Sequence, residues 1–349
     1  MPQTLSSLMW IILISQNFCG YYTTMHKRHI FNIPARVLCI ILIYITVYIY
    51  ITQLYKEEST YQTYGKIYQL LYFLIGALMA FIDGNVFSRF HSNVQSIMSE
   101  YSLKFGYRSV MRTITVFTVI FLMEIYIIWS DLAELVVTDL LLPFLFISKR
   151  VGFFTTTISR CIIFEWNYFS VKTLRISFDQ LVNKSNATIL EPNQKVLLDV
   201  VTTYTKLLKN INSVGVPLKI TVLRDFVLTF FYVIYASMGI VYTPENTVQN
   251  LIVVKVSVNI LTLFLPCVFM ELAKIEVDKI RLIYIEISAH SSDEEIRRKA
   301  DDALTLLQTV PFEFTVWRLI SVKSSLPFQF FALLTTYVIV TMQFMHVFG

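Results

Sequence analysis

The sequence has few charged residues and none of the common motifs of a soluble enzyme. Charged side chains make up 15% of its 349 residues, whereas an average soluble domain carries roughly 25%. The glycines form no phosphate-binding loop, and no GxSxG, HExxH or Walker pattern occurs. We therefore predict that the protein is not an enzyme.

Cysteine is scarce as well. The four cysteines, Cys19, Cys39, Cys161 and Cys267, are scattered and form neither a CxxC pair nor a Cys/His cluster. This spacing disfavours a disulfide framework and a metal site, and it favours small buried side chains. The sequence thus predicts no metal and no cofactor. The formal net charge of +5 is interpreted below through membrane topology, and no nucleic-acid partner is predicted.

Apolar residues make up 55% of the chain and are grouped in long runs. A run of about 20 apolar residues can cross a bilayer as a helix. Seven segments of this kind lie at about 34–54, 67–87, 113–129, 151–171, 226–242, 251–270 and 326–348. The sequence therefore predicts an all-α, polytopic membrane protein with seven transmembrane helices. Asp139 and Pro143 interrupt the residues before the fourth span, so 133–150 is predicted to be a structured outer loop.

The basic residues predict the direction of the chain. If the amino terminus is cytosolic, 21 of the 29 Lys and Arg residues fall on inner segments and four fall outside. Because basic residues accumulate on the cytosolic side, we predict a cytosolic amino terminus and an extracellular carboxyl terminus. Two glycosylation acceptors, Asn183-Lys-Ser and Asn186-Ala-Thr, would then face the cytosol and carry no sugar.

The inner segments are predicted to be helical. Between Lys195 and Ile211, apolar residues recur every three or four positions, which indicates an amphipathic helix. The helical pattern of the sixth span continues past Glu271, and Ser292 to Glu295 resembles a capping box that begins a further helix. The apolar faces of these inner helices either pack within one subunit or contact neighbouring subunits.

These predictions give the chain six parts. They are a cytosolic amino-terminal segment (1–33), transmembrane helices one to four (34–171), a cytosolic helical loop (172–222), helices five and six (223–270), a helical cytosolic anchor domain (271–325) and the seventh helix (326–349).

The seventh span carries polar residues at helical intervals. Gln329, Thr336 and Gln343 are seven positions apart, and residues seven apart fall nearly on one line of a helix. A polar stripe on an apolar span should face water or a polar partner. Two interpretations are open: the stripe lines a pore, or it forms hydrogen bonds between helices of the bundle.

The end of this span resembles a known signature. Thr336-Tyr337, five mostly apolar residues and Gln343-Phe344 match the TYhhhhhQF signature of the insect gustatory receptor family, in the last span, where that family carries it. The resemblance is specific at the carboxyl end and only architectural elsewhere. It implies a tetrameric, ligand-gated cation channel in which the last span of each subunit lines a central pore.

The resemblance also implies roles for individual residues. Thr336 and Tyr337 would pack the pore helix against its own subunit, and Gln343 would stand beside Phe344 at the narrow outer gate. Four Phe344 side chains would make an apolar constriction that stays dry when closed. The residues assigned to the pore and gate are Gln329, Thr336, Val340, Gln343 and Phe344. The implied partners are a small-molecule tastant, membrane lipid, permeating cations and other gustatory receptor subunits in a homo- or heterotetramer.

An extracellular ligand would reach the outer halves of spans two to six. Ligand-binding candidates there are Tyr72, Glu124, Trp129, Arg160, Tyr235 and Asn259. Ionisable groups within a span are costly unless paired or hydrated, and Glu124 and Arg160 lie at depths that allow an ion pair, either for ligand binding or for packing alone. Trp129 and Tyr235 either cover a ligand or are belt or core residues.

The residue after the TY pair bears on the class of ligand. Sugar-type members of the family carry Glu directly after the TY pair, and this chain has Val338. We therefore predict a taste receptor in the plasma membrane of sensory neurons, opened by a bitter or plant-derived tastant. The alternatives are a sugar-responsive gustatory receptor and an odorant-receptor-type channel subunit. A G-protein-coupled receptor requires the opposite orientation, and a transporter would show repeated halves.

Overall fold

The chain is almost wholly helical. The computed structural model describes residues 29–54, 67, 70–71, 73–78, 86–100, 107–134, 141–187, 194–242, 246–317 and 320–348. The helices bounded within these residues are α1 (His29–Leu54), α2 (Val86–Glu100), α3 (Tyr107–Glu134), α4 (Leu141–Ala187), α5 (Gln194–Ser213), α6 (Gly215–Tyr242), α7 (Asn246–His290), α8 (Glu294–Thr309) and α9 (Ser325–Phe348). Strands β1 (Thr315–Val316) and β2 (Ile320–Ser321) pair antiparallel between α8 and α9. The all-α prediction is confirmed.

Several helices are apolar over a length suited to a membrane. Within the described ranges, the three longest such stretches are Gly215–Ile240, Gln249–His290 and Ser325–Phe344, and shorter ones are Arg36–Thr52 and Thr118–Ser130. These stretches overlap the predicted spans one, three, five, six and seven. The fourth predicted span lies inside α4, where buried polar residues such as Glu165 and Asn167 interrupt the apolar sequence.

Two long helices form the centre of the subunit. α4 has 47 residues and α7 has 45, and they pack against each other over much of their length. At 1.5 Å per residue, each is about 70 Å long, so neither stops at the predicted inner end of its span. The predicted continuation of the sixth span beyond Glu271 is therefore confirmed. The same two helices pass from the predicted membrane spans into the helical domain that includes α5 and α8, which is called the inner domain below after its predicted cytosolic position.

In the inner domain, α5 packs against α4, and α8 packs against α5 and α7. α5 buries Leu197, Tyr204 and Leu207 on one face, as its periodicity predicts. The hydroxyl of Tyr204 donates to the Val310 carbonyl at 2.7 Å, and that of Tyr284 donates to the Leu197 carbonyl at 2.8 Å. Burial raises the pKa of Tyr204 to about 12 and also raises the pKa of Tyr284, so both hydroxyls remain protonated donors.

One predicted boundary is wrong. Residues 141–150, expected in an outer loop, are the first ten residues of α4. Pro143 is the third residue of the helix. In the first turn of a helix the amide of residue 143 would have no partner within the helix, so proline is tolerated there and does not interrupt α4.

The start of α8 also differs by one residue from the prediction. Asp293, and not Ser292, is the capping residue, and its carboxylate accepts a hydrogen bond from the Glu295 amide at 2.8 Å. The prediction took the serine that begins the S-x-x-E pattern, but Asp is as good a capping residue as Ser. The predicted helix itself is present, with Ala300, Ala303 and Leu307 buried.

Candidate functional site

The last helix, α9, is held to its own subunit along one side. Leu326, Phe330 and Leu334 are buried at intervals of four, and α9 packs on α6 and α7. Residues four apart lie above one another on a helix. Much of the rest of α9 is exposed in the single subunit, including the large apolar side chains of Phe328 and Ile339.

The polar residues of α9 lie on another side. Gln329, Thr336 and Gln343 are exposed, and so is Val340, one turn after Thr336. Because each residue turns the helix by about 100°, Thr336 lies about 120° around the axis from the buried Phe330. Gln329, Thr336 and Gln343 are called the polar stripe below. Their exposure leaves the polar stripe open to water or to a second chain.

The hydroxyl of Thr336 is satisfied inside α9. It donates to the Ala332 carbonyl at 3.1 Å, a common arrangement for threonine in a helix. The contact expected between Thr336 and the rest of its subunit stays a prediction. The amides of Gln329 and Gln343 are the groups of the polar stripe that face outward.

Aromatic rings join α9 to the two helices beside it. The aromatic cluster consists of Phe226 and Phe230 of α6, Phe264 of α7, and Phe330, Phe331 and Tyr337 of α9. Phe330 is fully buried, with ring centroids at 5.2 Å from Phe226 and 5.3 Å from Phe264. Both pairs are edge to face, an arrangement worth about 0.5–1.5 kcal/mol beyond the area buried.

Tyr337, which is predicted to pack α9 against its own subunit, contacts α6. Its ring lies edge to face with Phe230, with centroids 5.5 Å apart. Phe344 lies two turns further along α9, next to Gln343, and 60% of its surface is exposed. Tyr337 is itself 50% exposed, so the rings of the TY and QF pairs are both largely uncovered in the single chain.

The ligand-binding candidates that the structure describes lie on four helices, α3, α4, α6 and α7. Tyr72 lies outside the described residues. Trp129 is 74% exposed on α3, beside the exposed Ile125 and Tyr126, which favours a position against lipid. Tyr235 and Asn259 are half-buried, and the ring of Tyr235 lies 6.4 Å from that of Tyr232 on the same helix.

The structure gives Glu124 and Arg160 different ion-pair partners. Both are buried. A carboxylate oxygen of Glu124 lies 4.0 Å from Nη1 of Arg150, and Arg160 forms an ion pair with Asp225. A direct contact between Glu124 and Arg160 remains a prediction.

A buried charge cluster on α4 and α6 was not foreseen. Asp225 accepts from Arg224 Nε at 2.8 Å and lies 2.6 Å from Arg224 Nη2, in addition to its pair with Arg160. All three side chains are buried. The sequence signal was the Arg224-Asp225 dipeptide directly before an apolar run, but it did not indicate that α4 would supply a second arginine.

Comparison with solved structures identifies the fold. The chain is similar to the insect olfactory receptor OR5 from Machilis hrabei, with a TM-score of 0.74, 15% sequence identity, and coverage of 97% of this chain and 98% of that chain. The same receptor in complex with eugenol gives a TM-score of 0.70 at the same identity and coverage. No family model and no curated protein matches the sequence. The protein therefore shares the helical fold of an insect olfactory receptor over nearly its full length.

Proposed function

We propose that this protein is a chemosensory receptor of the gustatory type, which acts as a ligand-gated, non-selective cation channel. The observation that carries the proposal is the arrangement of α9. Its aromatic cluster packs against its own subunit, and its polar stripe is exposed on another side. An apolar span with an uncovered polar face fits a central pore lined by several copies, and four copies is the number that the resemblance implies.

The residues of α9 have separate roles in this proposal. Phe344 forms the constriction of the closed channel, since a ring of phenylalanines is too apolar to stay hydrated. The Gln343 and Gln329 amides face the open pore, where they replace part of the hydration of a passing cation. Tyr337 fixes the helix to its subunit through Phe230.

The proposed ligand is a small molecule that enters from outside. Support comes from the shared fold, because the similar receptor has been solved in complex with eugenol. A bitter or plant-derived tastant is the ligand class we favour.

The TY and QF pairs favour a gustatory receptor over an odorant receptor. An odorant-receptor-type subunit is the second candidate, favoured by the fold comparison. In both cases the protein lies in the plasma membrane of a sensory neuron, with its amino terminus in the cytosol.

The direct test is expression of this chain alone in a cell without other chemoreceptors. Whole-cell current is recorded during application of a panel of plant metabolites, sugars and eugenol, with GDPβS in the pipette to block G-protein signalling. We expect at least one compound to evoke a cation current that persists under GDPβS. Responses abolished by GDPβS would contradict the channel mechanism. Responses that appear only with an odorant co-receptor would favour the second candidate.

A further inference from the structure

Pro266 interrupts the hydrogen bonding of α7 in the second half of the predicted sixth span (251–270). The helix continues on both sides of this residue. Proline has no amide hydrogen, so the carbonyl four residues earlier, that of Thr262, receives no donor from residue 266. Within the hydrocarbon region a carbonyl in this position needs a donor from elsewhere, because lipid supplies none.

Arg160 of α4 supplies the stronger donor, and the thiol of Cys161, a weak donor, lies 3.8 Å from the same oxygen. The Nη2 of Arg160 lies 3.1 Å from the Thr262 carbonyl oxygen, and only 4% of Arg160 is exposed. The same guanidinium forms the ion pair with Asp225 of α6. A single side chain therefore joins α4 to α6 through a carboxylate and to α7 through a backbone carbonyl.

This region of α7 has a second feature that weakens the helix. The Thr262 hydroxyl donates back to the carbonyls of Val258 at 2.9 Å and Asn259 at 3.1 Å. Back-bonding of this kind often bends helices, and proline is the commonest cause of a kink. Proline and back-bonding together favour a bend of α7 at Pro266, and an external contact can hold such a bend in one position.

The two partners of Arg160 adjoin the aromatic cluster. Asp225 directly precedes Phe226, and Thr262 lies two residues before Phe264. The rings of Phe226 and Phe264 both contact Phe330 of α9. Arg160 therefore contacts the same two helix segments, of α6 and α7, against which α9 packs.

We propose that Arg160 is a positioning residue for gating, which sets the bend of α7 at Pro266 and thereby the position of α9. This inference rests on the proposed channel function. Arginine suits the role because its planar guanidinium can donate to a carboxylate and a carbonyl at once, whereas the ammonium of lysine is a point charge on a flexible stem. Arg160→Lys should keep the pair with Asp225 and lose the bond to Thr262.

The test is a double-mutant cycle between Arg160→Lys and Pro266→Ala. Alanine at position 266 restores the amide that bonds to the Thr262 carbonyl, so the contribution of Arg160 to that carbonyl becomes redundant. The quantities measured are the ligand-free current at fixed voltage, normalised to surface protein, and the melting temperature of the protein in detergent. We expect Arg160→Lys to change the ligand-free current by about fivefold or more in the native background and by less than about twofold with Pro266→Ala.

Arg150→Lys is the matched control. Arg150 lies on the same helix and also faces a carboxylate, that of Glu124, but it has no role in the proposed connection to α7. Its effect should be the same with and without Pro266→Ala. Equal coupling of Arg150 and Arg160 to Pro266 would overturn the proposal, as would independent effects of Arg160→Lys and Pro266→Ala.

The two measurements separate this inference from the proposed function. Coupling in the melting temperature without coupling in the current would assign Arg160 a structural role only and overturn the gating role. A wild-type protein that carries no current under any condition would refute the channel itself, while the melting temperatures would still test the contact. If Arg160→Lys does not reach the surface, the double variant Arg160→Lys/Pro266→Ala should reach it and carry a ligand-free current within about twofold of Pro266→Ala; failure on either count contradicts the proposal.

Discussion

The rings of Tyr337 and Phe230 meet edge to face at a centroid distance of 5.5 Å and an interplanar angle of 82°. This contact joins one residue of the TY pair to α6, and Tyr337 lies about 1.7 turns before Gln343 on the same helix. In the proposed channel, the position of the carboxyl-terminal end of α9 depends on this aromatic contact within the subunit.

Removal of the Tyr337 ring should loosen α9. We expect Tyr337→Ala to raise the ligand-free current and Tyr337→Phe to leave it close to the wild-type value, because the contact uses the ring. A cycle with Phe230→Ala should give a coupling of about 0.5–1.5 kcal/mol. Additive effects of Tyr337→Ala and Phe230→Ala would show that the two rings do not act on the gate through each other.

Loss of the Phe344 ring should open the proposed constriction. Phe344→Ala is expected to raise ligand-free current about tenfold, which corresponds to a shift of about 1.4 kcal/mol in the closed–open equilibrium. Phe328→Ala is the control, because Phe328 is also an exposed phenylalanine of α9 but lies near its inner end. If both substitutions change the current equally, Phe344 is not a gate.

The polar stripe can be tested with two adjacent threonines. Thr335 and Thr336 are both exposed, and both donate their hydroxyls within the helix, but they differ by about 100° around its axis. In the proposed channel, Thr336→Cys is modified by a charged methanethiosulfonate reagent during activation, and Thr335→Cys is not. The readout is block of current, with treated wild-type protein as the background. Faster modification of Thr335→Cys would place the pore on another face.

Membrane orientation is tested by glycosylation. The acceptors at Asn183 and Asn186 are predicted to be cytosolic, so the wild-type protein should show no mobility shift on treatment with an endoglycosidase. A carboxyl-terminal extension that carries an Asn-Gly-Thr acceptor should be glycosylated, because that terminus is predicted to be extracellular. Sugar on either native site, or an unmodified extension, would reverse the orientation.

The inner domain should lose stability in acid through Glu276. Its carboxylate accepts from Arg175 and Lys279, each at 2.9 Å. Burial alone raises the pKa of Glu276, but these two hydrogen bonds and charges outweigh burial and hold the pKa below its ordinary value of 4.5. The native state therefore binds the proton less readily than the unfolded chain, so the stabilisation is present above pH 4.5 and disappears as the pH falls through the lower, folded-state pKa.

We expect Glu276→Gln to lower the melting temperature in detergent at pH 7 and to lose that deficit in the acid range. Glu286→Gln, on the exposed face of the same helix, is the control and should change the melting temperature little at either pH. A deficit for Glu276→Gln that is the same at pH 7 and at pH 4 would assign its effect to packing and not to the carboxylate charge.

The sequence predicted those elements whose pattern is local. α9 was placed within one residue of its observed start because one apolar run specifies it, and the buried face of α5 followed from spacing alone. The start of α4 was missed because Pro143 was interpreted as an interruption, whereas its effect depends on its distance from the first residue of the helix. The partner of Arg160 was not predictable because depth in a span does not specify which neighbouring helix supplies the carboxylate.

The exposed glutamines of α9 also bear on how the protein is made. In the proposed channel, a newly inserted subunit presents Gln329 and Gln343 to acyl chains until other copies arrive. Uncovered polar groups in a bilayer are costly, so a single subunit is less stable there than an assembled one. Assembly should therefore rise steeply with the rate of synthesis and set the number of complete channels.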